Sequence, residues 1–180
     1  APAYPHGVID PIEALSDLAL SRGLPLHVDA CVGGFLLPFV RKLGFAVPPF
    51  DFAVPGVTSM SADLHKYGFA AKGASTVMYR TSELRRHQFY VYSGWPGGLF
   101  GSATVLGTRP GGAIAAAWAS LNALGESGYL RIARTIMDTT RAFIDGISAI
   151  PGLFVLGKPD CGVFAFASNG PDLMAIADQM

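Results

Sequence analysis

Charged residues and cysteines are scarce in this chain of 180 residues. Only 14% of the residues are Asp, Glu, Lys or Arg, and 13 basic residues are balanced by 13 acidic ones. A neutral chain lacks the positive surface that binds nucleic acid or an acidic membrane. Hydrophobic residues make up 51%, which excludes a disordered protein. The low charge predicts that a partner subunit or further chain covers part of the surface.

Targeting signals and metal-binding patterns are also absent from the sequence. No apolar run reaches the ~18 residues of a membrane span, and residues 1–10 lack the basic start and apolar centre of a signal peptide. Cys31 and Cys161 show no metal-ligand spacing, and no P-loop or Ser-His-Asp order is present. These features predict a reduced, intracellular protein. The start without Met and the end within a helix-like pattern predict a fragment or a processed chain.

Strand and helix patterns alternate along residues 1–125, which predicts an α/β protein with a layered sheet. The first helix begins at Asp10-Pro11, with Asp10 as its N-cap, and ends at Gly23. Its apolar face consists of Ile12, Leu15, Leu18 and Ala19. Strands are predicted at 24–30, 57–62 and 74–80, and a second helix at 35–43. Residues 93–112 are predicted to be a long glycine-rich loop, a type of segment that often carries function.

The remainder of the chain predicts a second, smaller α+β lobe. Helices are predicted at 113–124 and 129–150, with a break at residues 125–128. Strands follow at 153–156 and 162–167, and a last helix begins at 172. The lobe from residue 126 onwards is therefore expected to be incomplete.

Two residues at predicted strand ends are candidates for chemistry. Asp29 lies at the edge of the sheet where α/β proteins bind ligands. It either holds a protonated heterocyclic nitrogen or caps the following helix. Lys66 lies among small and hydroxyl-bearing residues. It is either a solvated surface amine or a nucleophile that desolvation or a nearby cation, His65 or Lys72, keeps partly deprotonated.

Together, Asp29 and Lys66 match the requirements of pyridoxal 5'-phosphate (PLP). That cofactor needs a lysine for its aldehyde and an acid that keeps its ring nitrogen protonated. Its phosphate needs N–H donors, which Gly107 and Thr108 offer just before a helix. The alternative for Thr108 is an ordinary helix cap.

Three further features leave alternatives open. His27 shares a strand face with Asp29, so it either forms hydrogen bonds within the site or is a satisfied core histidine. Cys31 is predicted to be a small packing residue. The aromatic residues within 89–95 either line an apolar tunnel or belong to the core or an interface.

With these residues in place, the chain resembles the PLP-dependent group II decarboxylase family, which has the aspartate-aminotransferase-like fold (fold type I). The resemblance covers essentially all 180 residues. The His65-Lys66 pair marks the wider family, and longer blocks mark its lyase branch. These blocks are residues 4–11, 25–35, 56–68 and 107–112. The resemblance implies the C-terminal part of the PLP-binding large domain over residues 1–125. It also implies a linker helix and the beginning of the small domain over residues 126–180.

The resemblance implies a role for each matching position. Lys66 resembles the lysine that forms the Schiff base, Asp29 the partner of the pyridine nitrogen, and His65 the residue beside the cofactor phosphate. Gly107 and Thr108 resemble the loop that reaches the PLP phosphate of the other subunit in a homodimer. Tyr4 and Lys72 occupy positions near the substrate. The ring-stacking histidine and the main phosphate-binding residues of the family lie upstream of this chain.

For the complete enzyme, the resemblance implies retro-aldol cleavage of a phosphorylated sphingoid long-chain base to a fatty aldehyde and phosphoethanolamine. One alternative is a PLP-dependent amino-acid decarboxylase that uses the same Lys66 and Asp29. Another is a catalytically incomplete piece that serves only in assembly. The expected location is the cytoplasm, or the cytosolic face of the endoplasmic reticulum where an upstream segment anchors the protein.

Overall fold

A three-stranded sheet organises the first part of the chain, and the computed structural model describes all 180 residues. Strand β1 (Leu26–Asp29) runs parallel to β2 (Val57–Ala62), and β3 (Thr76–Tyr79) pairs antiparallel with β2. The predicted strands at 24–30, 57–62 and 74–80 are therefore present. Together with the helices they confirm a mixed α/β structure.

Two predicted helices precede and connect these strands. Helix α1 (Ile12–Arg22) ends at Gly23, whose left-handed conformation (φ 62°) confirms the predicted C-cap. The predicted N-cap is wrong, because Pro11 occupies that position and no side chain caps the helix. Helix α2 (Leu37–Lys42) carries Pro38 in its first turn, where proline is tolerated. A short helix α3 (Ser82–Arg86) follows β3.

Helix α1 packs through a narrower face than its apolar pattern predicts. Its buried residues are Ile12, Ser16 and Ala19, whereas Leu15 and Leu18 are 39% and 55% exposed. The reason is the close approach of Gly56, whose N–H donates to Ser16 Oγ at 2.9 Å. A Cβ on Gly56 would lie 2.5 Å from the same oxygen, so only small residues fit where the two segments cross.

The region predicted to be a glycine-rich loop at 93–112 is in part a β-hairpin, so that prediction was wrong. Strand β4 (Tyr90–Trp95) pairs antiparallel with β5 (Gly98–Ser102). The turn between them places Gly98 at φ 95°, a conformation that favours glycine. Aromatic side chains stabilise the pair across the strands, since the Tyr90 and Phe100 rings lie 6.1 Å apart. The glycines bend and end these strands but do not prevent pairing.

One long helix connects the hairpin to the end of the chain. Helix α4 (Gly111–Ser148) is kinked at Gly125, where φ is 55° and ψ is −176°. This kink confirms the predicted break between two helical segments. Strands β6 (Leu153–Val155) and β7 (Phe166–Ser168) pair antiparallel, so only the end of the predicted 162–167 strand is paired. Helix α5 (Leu173–Ala177) begins at Asp172, whose carboxylate caps it.

The main core lies on one face of the three-stranded sheet. Val28 and Met60 point into it and are 2% and 4% exposed. Ala133 and Met137 of α4 belong to the same buried cluster, as does Cys161, so one core joins both predicted lobes. Burial raises the pKa of the Cys161 thiol to about 11. None of the helices is both long and apolar enough to cross a membrane.

Candidate functional site

Polar side chains occupy the sheet face opposite the core, at the end of β1. Oδ1 of Asp29 accepts the Cys31 backbone N–H and the Ser61 hydroxyl, each at 2.9 Å, which leaves Oδ2 for another donor. The Cys31 N–H, aided by Ser61, lowers the pKa of Asp29 below its usual value despite partial burial. Asp29 does not cap α2, whose N-cap is Leu36. An ionised carboxylate therefore faces outward at the carboxyl edge of the sheet.

Lys66 lies in the loop that follows β2, and its surroundings favour the charged amine. Its Nζ is 3.1 Å from Oδ2 of Asp63. Hydrogen bonding to the Cys31 side chain and to Asp63 raises the pKa of Lys66 above its usual value. The sequence left open a solvated amine and a partly deprotonated nucleophile, and these contacts favour the protonated form. The groups that favour the ammonium are the Cys31 side chain and the carboxylate of Asp63, three residues earlier.

Asp63 anchors this loop through several polar contacts. Burial alone would raise its pKa, but hydrogen bonds from Ser75 and Lys66 outweigh burial and lower the pKa. His65 Nε2 lies 3.9 Å from Oδ2 of Asp63. His65 and Lys66 thus share one carboxylate, a contact that the spacing of the two basic residues did not reveal.

Cys31 connects the two candidate residues. Its backbone N–H binds Asp29 and its side chain contacts Lys66. Its carbonyl oxygen also accepts the backbone N–H of Asp63 at 3.4 Å. Cys31 is half-buried between these groups, so it is more than the packing residue that the sequence predicted. Asp29 and Lys66 are thus linked through Cys31, although Asp29 is not among the residues that line the Lys66 cavity.

The backbone after Lys66 is tightly held. Gly68 packs so closely that a Cβ would lie 2.5 Å from the Leu64 carbonyl oxygen. The buried hydroxyl of Tyr129, on α4, donates to the Gly68 carbonyl oxygen at 2.8 Å. Phe69 has a positive φ of 55°, which is strained for a residue with a side chain. Helix α4 thus supports the loop that presents Lys66.

The Lys66 amine borders an apolar cavity of about 610 Å³. The other wall residues are Tyr4, Cys31, Val32, Tyr67, Phe69 and Val163. Lys66 is the only positively charged side chain among them. A second cavity, of about 690 Å³, lies on the other side of Tyr67 and has no acidic or basic side chain in its wall. The smaller cavity is therefore the better candidate for chemistry.

Tyr4 reaches the cavity because hydrogen bonds hold the turn of residues 3–8 against the segment at 160–163. The Ile9 N–H donates to Asp160 Oδ2 at 2.8 Å, and the Asp160 N–H donates to the Gly7 carbonyl oxygen at 2.9 Å. Gly7 has a φ of 69°, and a Cβ there would lie 1.7 Å from the Val163 carbonyl oxygen. Only glycine fits at this turn.

The structure does not bring every predicted site residue to Lys66. Lys72 is exposed, forms no ion pair and does not line the cavity. Gly107 borders a separate cavity of about 430 Å³ at the base of the hairpin. Thr108 does not cap α4, whose N-cap is Pro110 without a side-chain bond. Within one chain, Gly107 and Thr108 therefore stand apart from Asp29 and Lys66.

Comparisons with known proteins show the family of this chain. Residues 5–169 match the pyridoxal-dependent decarboxylase conserved domain. The chain is 53% identical to the sphingosine-1-phosphate lyase of Arabidopsis thaliana, over all of this chain and 33% of that protein. It is 47% identical to sphingosine-1-phosphate lyase 1 of Rattus norvegicus, over all of this chain and 32% of that protein.

A solved structure of a related protein is also similar to this chain. The sphingosine-1-phosphate lyase of Burkholderia pseudomallei superposes with a TM-score of 0.91 at 47% identity, over 97% of this chain and 40% of that one. The chain spans about a third of the length of the curated relatives it matches. The conserved domain and these similarities, which extend across nearly the whole chain, show that it belongs to the pyridoxal-dependent decarboxylase family.

Proposed function

We propose that the complete protein cleaves a phosphorylated sphingoid long-chain base into a fatty aldehyde and phosphoethanolamine. The observation that carries this proposal is the Lys66 amine in the wall of an otherwise apolar cavity of about 610 Å³. Such a cavity suits an alkyl chain next to a reactive amine. The similarity to proteins named sphingosine-1-phosphate lyase supports this substrate class.

We propose that Asp29 and Lys66 hold PLP. Asp29 is ionised and its Oδ2 has no partner within the chain, which fits a protonated ring nitrogen. Lys66 offers a primary amine, which fits the cofactor aldehyde. His65 is proposed to lie beside the phosphate. When bound, PLP supplies an electron sink for the bonding pair that the substrate releases.

The residues of this chain have distinct roles in the proposed reaction. The C3 hydroxyl loses its proton and becomes the aldehyde carbonyl, the C2–C3 bond breaks, and C2 gains a proton. Asp29 keeps a proton on the ring nitrogen through its carboxylate. The aromatic and aliphatic walls around Lys66 exclude water and take the alkyl chain. Tyr4 places a phenolic hydroxyl, able to donate or accept a proton, at the cavity wall.

An amino-acid decarboxylase is the second candidate within the same family. It would use Lys66 in the same way but must also bind a substrate α-carboxylate, which calls for a cation or several N–H donors. Lys66 is the only cation in the cavity wall, and Asp63 pairs with it. The phosphate of the long-chain base makes the same demand, so the number of cations does not separate the two reactions. The apolar wall, which suits a long alkyl chain, favours the lyase.

We propose that residues 1–125 belong to the large domain of a fold type I enzyme and that residues 126–180 begin its small domain. We also propose a homodimer in which Gly107 and Thr108 reach the partner's cofactor. Their distance from the Lys66 cavity and the exposed hairpin before them support this arrangement. Cys31 and Cys161 are free thiols, which supports a reducing, cytoplasmic location.

The test uses the full-length protein and its Lys66→Ala variant. The unaltered protein is expected to cleave the phosphorylated base and to carry a pyridoxyl group on Lys66 after borohydride reduction and peptide mapping. Lys66→Ala should lower turnover by about a thousandfold or more. Lys42→Ala is the matched control, since Lys42 forms a surface ion pair with Glu126.

Two outcomes would contradict the proposal. Turnover of aromatic or acidic amino acids in place of the phosphorylated base would favour the decarboxylase. A pyridoxyl label on another lysine, with normal turnover in Lys66→Ala, would refute the assigned amine.

A further inference from the structure

A row of hydrogen bonds crosses the polar face of the sheet and ends at Asp29. The β1–β2 register places His27 opposite Ser59 and Asp29 opposite Ser61. His27 Nδ1 lies 2.8 Å from Ser59 Oγ, and Nε2 lies 3.3 Å from Ser61 Oγ. Ser61 Oγ in turn lies 2.9 Å from Asp29 Oδ1. His27 is exposed on this face, so it is not a core histidine.

The available protons determine which group donates in each hydrogen bond of this row. Asp29 is ionised and can only accept, so the Ser61 hydroxyl donates its one proton to Oδ1. Ser61 then offers only lone pairs to His27, and Nε2 must carry a hydrogen. In the neutral ring Nδ1 is an acceptor, so the Ser59 hydroxyl donates to it. Every donor thus points towards Asp29.

We propose that His27 is a positioning residue that holds the Ser61 hydroxyl on Asp29 by binding the Ser61 oxygen through Nε2–H. This inference rests on the proposed role of Asp29 and deepens it. With the Cys31 N–H and the Ser61 hydroxyl both on Oδ1, Oδ2 keeps a fixed direction and stays available to the ring nitrogen of PLP. If the Asp29 side chain were free to rotate, neither carboxylate oxygen would keep a constant position towards the ring nitrogen.

The first measurement is the tautomer of His27 in the holoenzyme of the full-length protein. Nitrogen chemical shifts of ¹⁵N-labelled histidine rings, assigned by the peak lost in His27→Phe, are expected to show hydrogen on Nε2 and a bare Nδ1 at a pH where the ring is neutral. The opposite tautomer would overturn the proposal. This measurement needs no variant to be active.

The second measurement is the affinity of the apoprotein for PLP. Ser61→Ala should weaken it about tenfold, the loss expected for one hydrogen bond to a charged group, and His27→Phe about threefold. Ser61→Thr keeps the hydroxyl and should restore affinity. Ser59→Ala is the matched control, because Ser59 does not touch Asp29, and it should change affinity less than about twofold.

Equal affinity in Ser61→Ala and the unaltered protein would overturn the proposal, as would an equal loss in Ser59→Ala. Neither the tautomer nor the affinity depends on turnover. A protein that failed to cleave the phosphorylated base would therefore refute the proposed function without deciding the role of His27.

Discussion

The ionisation state of each residue at this site depends on neighbours that lie close in space and not always close in sequence. The surroundings of Lys66 favour its charged form, because the Cys31 side chain and Asp63 raise its pKa. Asp29 is held ionised mainly by one backbone N–H. A lysine must be neutral to form a covalent bond. In the proposed site, the Asp63 ion pair would therefore oppose attachment of the cofactor aldehyde to Lys66 and would have to be broken for it.

Asp63→Asn is expected to make Lys66 reactive at lower pH. Loss of the carboxylate removes one of the groups that stabilise the ammonium, so the pKa of Lys66 falls and the neutral amine becomes available earlier. The measurement is the rate of borohydride-trapped PLP attachment to Lys66 against pH in the full-length apoprotein. Asp51→Asn, which disturbs the distant Arg41 ion pair, is the control. An unchanged or upward-shifted profile would contradict this explanation.

At the scale of elements, helix α4 determines how the site loop and the C-terminal strands are joined. Its second half provides Tyr129, which binds the Gly68 carbonyl oxygen, and it contributes Ala133 and Met137 to the core. Gly125 turns the helix at a φ and ψ that are almost restricted to glycine. The kink therefore sets the direction from which Tyr129 reaches the Lys66 loop.

Substitution of two glycines in α4 by alanine is expected to have opposite effects. Gly125→Ala should destabilise the protein by about 1–3 kcal/mol, because alanine is strained at this φ and ψ. Gly146→Ala, in a regular and exposed turn with open space around it, should stabilise by about 0.5–1 kcal/mol. Equilibrium urea unfolding of the full-length variants measures both. The same sign for the two changes would refute the assigned kink.

In the molecule as a whole, the hairpin exposes a contiguous group of apolar side chains. All six residues of β4 are exposed, including Tyr90, Tyr92 and Trp95. Leu99 in β5 is 74% exposed, and Leu106 beyond it is 80% exposed. Exposed apolar residues grouped in this way indicate an interface. The hairpin leads directly into Gly107 and Thr108, so the proposed dimer would cover it.

Leu99→Asp is expected to weaken the dimer of the full-length protein by about tenfold or more, because it buries an unpaired charge in the interface. Sedimentation velocity over a range of concentrations measures the dissociation constant. Leu20→Asp, at a 56% exposed leucine of α1, is the control and should leave association unchanged. A dimer that tolerates Leu99→Asp would place the interface elsewhere.

Features that depend on local pattern could be predicted from the amino-acid sequence. Helix α1 and its C-cap, the paired strands β1 and β2, and the break at Gly125 follow from periodicity and from glycine conformations, which act over a few residues. Asp29 and Lys66 could be identified as candidate site residues from their residue types and from the segments that flank them. The hairpin was not predicted from the sequence. Its glycines indicated a loop, although its aromatic residues alternate as they do in a strand.

The ionisation and the hydrogen-bond partners of the site residues, in contrast, depend on the folded chain. The Asp63–Lys66 pair, the Cys31 bridge and the hydrogen bonds from His27 to Asp29 require the β1–β2 register and the folded loop after β2. Likewise, Ser16 is buried and Leu15 is exposed, because α1 crosses the segment at Gly56 so closely that only a small side chain fits there. The contacts of His27 with Ser59 and Ser61, and of Ser16 with Gly56, join residues 32 to 40 positions apart, and no local pattern in a sequence encodes the distance between them.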